Sequence, residues 1–101
     1  MKSIIQNDWG RCYLCGRIWN LECHHVFGSA FRSKSERYGL TVHLCHSCHN
    51  EPPNGVHQNY DRRRWLQDHA QRIAMEHYGW TEDDFRAMFG RSYLKTEEDN
   101  G

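Results

Sequence analysis

The sequence predicts a small α+β domain stabilised by a bound metal ion, and three observations lead to this prediction. Two Cys-x-x-Cys pairs, Cys12–Cys15 and Cys45–Cys48, are separated by two short segments rich in β-forming residues. A long segment with helical periodicity follows the second pair. A chain this short forms one small core at most, so a single metal-supported domain is expected over 1–95. The polar, acidic residues 96–101 predict a disordered tail.

The first half of the chain predicts a metal knuckle at 12–16 with strands around it. A short strand is expected around Ser3–Gln6. Leu21–Phe27 is predicted as a second strand in which the neighbouring imidazoles of its His-His pair point to opposite faces. On the same alternation, Cys23 is expected to be a small buried residue. Residues 28–39 are polar and basic and end in glycine, which favours a loop.

The second half begins with a further strand and continues with helices. Leu40–Leu44 alternates in the manner of a strand, and two prolines with Asn-Gly predict a turn over 51–55. A long helix is predicted from about 58 or 59 to 78, ended by Gly79. A short helix is predicted from its cap at Thr81 to Gly90.

The long helix is expected to bury an apolar stripe against the strands. The stripe contains Leu66, Ala70, Ile73 and Ala74. The four tryptophans are also expected in the core rather than as platforms for stacking bases; they are Trp9, Trp19, Trp65 and Trp80. Knuckle, strand, loop, strand, knuckle and helix together form a ββα-metal unit, called a treble clef where a zinc knuckle anchors it.

The paired cysteines predict one structural Zn²⁺ site. The two-residue gap in each pair lets both thiolates reach one ion, and two pairs complete a tetrahedron. The chain has five cysteines and its N-terminus lacks the apolar core of a signal peptide, so a reducing compartment is expected, in which such pairs bind metal. The predicted ligands are Cys12, Cys15, Cys45 and Cys48. A mixed site that uses His43 or His46 is the alternative.

Charge neither requires nor excludes a nucleic-acid partner. The formal net charge is zero, but residues 1–79 hold ten Lys and Arg against seven Asp and Glu, and residues 80–101 hold three against six. Two basic groups could hold phosphates on either side of a scissile bond, or could simply be solvated faces. They are Arg32, Lys34 and Arg37 in the loop and Arg62, Arg63 and Arg64 at the helix start. No apolar run is long enough to span a membrane.

Of the eight histidines in the chain, four are candidates for a second site once the cysteines have closed a zinc site. They are His24 and His25 on the strand, His49 directly after the second knuckle, and His57 near the start of the long helix. Spare imidazoles beside a closed zinc site predict a second, open metal site, and open metal sites carry out chemistry.

The run Cys12–Cys15, His24-His25 and Leu44–His49 resembles the HNH endonuclease motif. Its continuation through Gly55-Val56-His57 looks like the small phage-encoded branch that includes recombination-enhancing, recombinase-dependent nucleases. The resemblance implies a metal-dependent endonuclease that nicks or cleaves DNA. It implies His25 as general base, and His24, His49 and His57 as ligands of a second divalent ion, which can be Mg²⁺, Mn²⁺, Ni²⁺ or Zn²⁺.

The same resemblance implies a biological setting. The expected partners are DNA and a protein of recombination, phage replication or packaging, and the expected location is the cytoplasm of a bacterial host, during infection or from a prophage. A monomer or homodimer is expected, with no membrane association. The rival interpretations are a zinc module that binds DNA or protein without catalysis, and a degenerate nuclease retained for binding.

One position departs from the HNH pattern. The middle Asn of the motif is missing from the start of the predicted strand Leu40–Leu44, where the sequence over Tyr38–Val42 contains no Asn. In the family this Asn pins the loop between the strands and helps to orient the base. Thr41 or a backbone carbonyl is the expected substitute.

Overall fold

The computed structural model describes residues 2–95, and the acidic tail over 96–101 lies outside the described residues. The elements in chain order are β1 (Leu21–His25), α1 (Arg32–Arg37), β2 (Thr41–Cys45), α2 (His46–Asn50), α3 (Tyr60–Tyr78) and α4 (Glu82–Phe89), with a 3-10 turn at Ser29–Phe31 before α1. This order confirms the predicted α+β fold with a two-stranded hairpin, a long helix and a short C-terminal helix.

The hairpin fixes the two candidate metal sites relative to each other. β1 and β2 are antiparallel, with Leu21 opposite Cys45 and His25 opposite Thr41. The second cysteine pair therefore begins at one end of the hairpin, while the His-His pair lies at the other end.

Residues 3–6 do not form the predicted strand. The Ser3 hydroxyl donates to the Thr41 carbonyl at 2.6 Å and accepts from the amides of Ile5 and Gln6. The Gln6 side-chain oxygen accepts from the His43 amide at 2.8 Å. Side chains of the N-terminal segment thus occupy hydrogen-bonding groups of β2 that a strand would otherwise take.

Gly39 lets the N-terminal segment cross the hairpin closely. Its φ is +74°, and a Cβ at this position would lie 2.6 Å from the Lys2 carbonyl oxygen. The Ile4 amide donates to the Gly39 carbonyl at 2.9 Å. Both the positive φ and the close approach require glycine here.

The predicted loop over 28–39 contains α1, so the prediction of a plain loop was wrong. The buried Ser35 hydroxyl donates to the Phe27 carbonyl at 2.6 Å and accepts from the Phe27 amide at 3.1 Å. The Leu40 amide donates to the Ser35 carbonyl at 2.7 Å. These tertiary hydrogen bonds hold a short polar segment in a helix that its composition alone does not predict.

Both C-terminal helices begin and end where the sequence predicted. Asn59 caps α3 through a hydrogen bond from the Arg62 amide, and Gly79 ends the helix in the left-handed conformation. Thr81 and Asp84 form a capping box at the start of α4, and Gly90 ends it.

Aromatic rings from the segment after β1 and from the C-terminal part of the chain meet in the core. Phe27 follows β1, and its ring centroid lies 5.3 Å from that of Phe85, 5.0 Å from that of Phe89 and 4.9 Å from that of Tyr93. The three phenylalanines are almost fully buried. The segment after β1 is therefore held against α4, which supports the wall of the site described below.

The expected helix stripe is only partly correct. Leu66, Ala70 and Ala74 are buried, but Ile73 is only partly buried, and the buried polar residue of α3 is Gln71. The Gln71 side chain accepts from the Tyr93 amide at 2.6 Å and donates to the Ser92 hydroxyl at 3.1 Å. A polar residue is tolerated because the C-terminal segment supplies its hydrogen-bond partners.

Three of the four tryptophans are not in the core, contrary to expectation. Trp9, Trp19 and Trp65 are 40%, 60% and 48% exposed, and Cys23 is exposed as well. Trp65 stacks on the His69 ring, with centroids 4.7 Å apart. Size and apolar character alone do not fix burial in a domain with so small a core. Among residues 2–95, no helix combines the length and apolar composition that crossing a bilayer requires.

The loss of stability caused by a substitution on α3 should depend on how deeply the side chain is buried, and not on whether it belongs to the predicted apolar stripe. We expect Leu66→Ala to lower the free energy of unfolding by about 2–5 kcal/mol, because it opens a cavity in the core. Ile73→Ala should lower the free energy of unfolding by clearly less, since the Ile73 side chain is partly exposed. Chemical denaturation of both variants measures the difference, and an equal or larger loss for Ile73→Ala would contradict this packing.

Candidate metal centres

The four paired cysteines form one compact cluster, as the sequence predicted. Their sulfur atoms all lie within 4.8 Å of one another, and the cluster contains Cys12, Cys15, Cys45 and Cys48. Cys15 Sγ lies 3.6 Å from Cys45 Sγ, and every member except Cys15 is buried. Four sulfur ligands at this spacing suit a tetrahedral ion such as Zn²⁺. The cluster can therefore hold a structural zinc.

The pKa values of neighbouring thiols in the cluster shift in opposite directions. Burial alone would raise the pKa of Cys12, but backbone groups of Cys45, Cys15 and Leu14 and the Cys15 side chain lower it to about 7. Burial, and next the charge on Cys12, raise the pKa of Cys48. Four thiolates cannot be accommodated here without a cation, and a bound metal ion supplies that charge.

The alternative zinc ligands are engaged elsewhere. His43 Nδ1 lies 2.7 Å from the Trp9 carbonyl oxygen, and His46 Nδ1 lies 3.0 Å from Glu22 Oε2. Neither belongs to the cysteine cluster. The geometry therefore favours the all-cysteine site over a mixed one.

A second cluster joins His24, His49 and His57. One ring nitrogen of each lies within 4.8 Å of the others, and the Nε2 atoms of His49 and His57 are 3.1 Å apart. Two nitrogens bound at about 2.0–2.1 Å to one tetrahedral ion would be separated by a little over 3 Å. The three imidazoles thus have the spacing of a metal-ligand set, which we call the histidine triad.

The turn after α2 brings His57 back to His49. The Val56 amide donates to the Cys48 carbonyl at 2.8 Å, and the His57 amide donates to the His49 carbonyl at 3.2 Å. Within the turn, a Cβ on Gly55 would lie 2.5 Å from the Glu51 amide nitrogen. The backbone therefore places the two imidazoles side by side, and the predicted 51–55 turn is confirmed.

Glu22 fixes the tautomer of His49. Its Oε1 lies 2.7 Å from His49 Nδ1, and its Oε2 contacts His46. A carboxylate can only accept here, so Nδ1 carries the proton and Nε2 keeps its lone pair toward His57. These hydrogen bonds, chiefly that from His49, lower the pKa of Glu22. The sequence offered one signal for this role, since Glu22 shares the strand with the His-His pair.

His24 is held neutral by its surroundings. It is 5% exposed, and burial, followed by the charges of His49, His57 and His25, lowers its pKa to about 3. Burial, and then His49 and Arg63, also lower the pKa of His57. Neutral imidazoles have a free lone pair at physiological pH, which metal ligation requires.

His25 lies beside the triad without joining it. Together with His24 and His57 it lines two adjoining clefts of about 390 and 240 Å³. Its side chain is 12% exposed, and its Nε2 lies 3.2 Å from Glu36 Oε2 on α1. Glu36 was not among the site residues predicted from the sequence, because the segment that carries it was predicted as a loop.

The predicted phosphate-binding residues divide between the clefts and other surfaces. Arg63 lines the larger cleft and donates to the carbonyls of Val56 and His57, while Arg32 lines the smaller cleft.

The other four basic residues contact different parts of the molecule. Arg62 Nη2 lies 3.8 Å from Cys48 Sγ, and Arg64 donates to the Tyr93 carbonyl. Lys34 donates to the Met88 carbonyl, and Arg37 lies over the Tyr38 ring.

Comparison of the chain with protein-family models, with curated proteins and with solved structures gave no match. Only the geometry of the two clusters therefore indicates their chemistry.

Removal of one thiol from the cysteine cluster should remove the structural ion and the fold together. We expect Cys45→Ser to lose bound zinc and to melt far below the unmodified protein, because metal-binding energy is folding energy in a small domain. Cys23→Ser is the matched control, since Cys23 is exposed and outside the cluster. Elemental analysis and thermal melting test this, and full zinc content in Cys45→Ser would disprove the assignment.

Proposed function

We propose that this protein is a metal-dependent endonuclease that hydrolyses phosphodiester bonds of DNA, by nicking or by cleavage. One observation carries the proposal: the histidine triad, with the spacing of a metal-ligand set, shares its clefts with a fourth imidazole, His25, and with the arginines Arg32 and Arg63. A separate cysteine cluster is available for the structural role. Ligands, a base and phosphate-binding groups thus lie together, as hydrolysis of a phosphodiester requires.

The triad fits a divalent ion. Imidazole ligands contribute no negative charge, so an ion bound by the triad would keep its full charge and attract an anionic phosphate. An ion held by three protein ligands also retains open coordination positions. When bound, it would supply electrostatic stabilisation of the charge that develops on the phosphate oxygens and on the leaving 3′ oxygen. Imidazole ligands accept several ions, among them Zn²⁺, Ni²⁺ and Mn²⁺.

His25 is the proposed general base. A water molecule in the cleft gives a proton to the free ring nitrogen of His25 while its oxygen forms a bond to phosphorus. The bond from phosphorus to the 3′ oxygen breaks, and the leaving oxygen takes a proton from solvent. His25 suits this task because it lines both clefts and its ring lies outside the triad.

Arg32 and Arg63 are the proposed phosphate contacts. Each lines one of the two clefts that meet at His25, so phosphates on either side of the scissile bond can be neutralised. Arg63 is held beside His57 by its hydrogen bonds to the carbonyls of Val56 and His57, at 3.2 and 3.4 Å. Its position is therefore fixed before DNA binds, which lowers the entropy cost of the contact.

The rival interpretation, a zinc module that binds DNA or protein without catalysis, explains the cysteines and the arginines equally well. It gives no reason for four imidazoles to converge on one pair of clefts.

Two histidine substitutions should separate the roles of base and ligand. We expect His25→Ala to abolish plasmid nicking while divalent metal and DNA still bind, because only water activation is lost. His49→Ala should lose both nicking and the exchangeable ion, because it removes a ligand. Nicking assays with Mg²⁺, Mn²⁺, Ni²⁺ and Zn²⁺, together with metal titration calorimetry, measure both effects.

The control is His77→Ala, which changes an exposed imidazole on α3. Normal nicking by His25→Ala with any of these ions would reject His25 as the base. If the unmodified protein cuts no nucleic acid with any ion, alone or with a recombination protein, the binding-module interpretation replaces the nuclease.

The two cleft arginines should contribute to DNA affinity in a salt-dependent way. In a His25→Ala background, we expect Arg32→Gln with Arg63→Gln to weaken binding of a short duplex and to reduce the slope of log K against log [salt] by about 2, close to one per lost phosphate contact. Fluorescence anisotropy over a salt series measures this.

A second double variant is the charge-matched control. It combines Arg72→Gln and Arg86→Gln, two helix arginines that pair with Asp68 and Asp83. An equal change of slope in both double variants would indicate that DNA does not bind at the two clefts.

A further inference from the structure

The geometry points to Glu36 as the positioning residue of His25: its carboxylate selects the tautomer and the orientation of the imidazole. The inference rests on the proposed function, because it specifies how that site prepares its base. Glu36 Oε2 lies 3.2 Å from His25 Nε2.

The backbone around Glu36 is fixed, which distinguishes this pair from an accidental surface contact. The preceding residue, Ser35, is fully buried and makes two hydrogen bonds to the backbone of Phe27. The Leu40 amide donates to the Ser35 carbonyl, and the Gly39 amide donates to the Glu36 carbonyl at 3.3 Å. Because Phe27 lies two residues after His25, α1 is attached directly to the strand that carries the base.

The contact determines which ring nitrogen is free. An ionised carboxylate only accepts hydrogen bonds, so His25 Nε2 must carry the proton that it donates to Glu36. Nδ1 then holds the lone pair and is the atom that can take a proton from water. A carboxylate in this position selects one tautomer, as partners of ligand and catalytic histidines commonly do.

Glu36 supplies the orienting contact that the missing Asn of the motif would otherwise make. The segment Tyr38–Val42 has no Asn to orient the base, and Thr41 was one expected substitute. Thr41 lies opposite His25 in the hairpin, but the side chain that meets the His25 ring nitrogen comes from α1. The Glu36 side chain is 64% exposed and lines neither cleft, so it can hold the ring without occupying them.

A purely structural role predicts a different outcome from a positioning role. Exposed ion pairs contribute little to stability, so loss of Glu36 should leave the melting temperature nearly unchanged. A positioning role predicts a changed tautomer and slower turnover in the same, fully folded variant. The conservative variant Glu36→Gln keeps an oxygen that can accept from Nε2 and should therefore restore much of what Glu36→Ala loses.

The first test is nitrogen-15 NMR of the imidazole rings in the zinc-loaded protein, at a pH at which the rings are neutral, with the His25 signals assigned by comparison with His25→Ala. We expect the unmodified protein and Glu36→Gln to show His25 protonated at Nε2, and Glu36→Ala to show a mixture of tautomers. Glu76→Ala, an exposed carboxylate variant on α3, is the control. A proton on Nδ1 in the unmodified protein, or an unchanged tautomer in Glu36→Ala, would overturn the inference.

The second test is the nicking rate of the same variants. We expect Glu36→Ala to lower kcat by about 10-fold or more with little change in KM for DNA, in the range found when partners of site histidines are removed. An unchanged kcat in a variant whose His25 is no longer held in the Nε2-protonated tautomer would also overturn the inference. If no variant cuts DNA but the tautomer depends on Glu36, the proposed nuclease fails while the assignment of Glu36 as the residue that fixes His25 stands.

Discussion

The cluster of four cysteine thiols is the constraint on which the rest of this small fold depends. It joins the N-terminal knuckle, Cys12–Cys15, to the end of β2 and the start of α2, and the Tyr13 amide, which donates to the His43 carbonyl at 2.8 Å, connects the same parts of the chain. Burial raises the pKa of the Cys48 thiol, so four thiolates can coexist here only with a cation that compensates their charge. A core this thin, built mainly from a few aromatic and aliphatic side chains, would gain much of its stability from an ion held by the cluster.

The histidine triad depends on the cysteine cluster through the backbone. His49 directly follows Cys48, and the hydrogen bonds from Val56 to Cys48 and from His57 to His49 return the chain to the same place. Arg62 extends this connection, since its guanidinium contacts the Cys48 sulfur from α3. A loss of the structural ion should therefore disorder the triad as well. The reverse does not follow, because no histidine of the triad belongs to the cysteine cluster, and loss of the triad leaves the four thiols in place.

The sequence predicted the parts of the molecule that local chemistry determines. Spacing gave the cysteine cluster, and capping residues such as Thr81 and Gly79 gave the helix limits. Three histidines were grouped correctly because each is adjacent to a recognisable element. The predictions that were wrong concern segments whose conformation depends on tertiary contacts, which a local sequence pattern does not indicate. A strand was expected at residues 3–6, where Ser3 instead binds β2 through its side chain, and α1 exists because Ser35 is bonded to Phe27. The partners of the site histidines, Glu22 and Glu36, were missed for the same reason.

The central claim is that one small domain holds two ions, one among the cysteines and an exchangeable one in the histidine triad. Anomalous diffraction from crystals of the zinc-loaded protein soaked in Mn²⁺ tests it most directly. Data at the zinc edge should show a peak among the sulfur atoms of Cys12, Cys15, Cys45 and Cys48, and data that distinguish manganese should show a second peak between the ring nitrogens of His24, His49 and His57. A triad without a peak at saturating Mn²⁺, and equally without one after soaks in Zn²⁺ or Ni²⁺, would contradict the account.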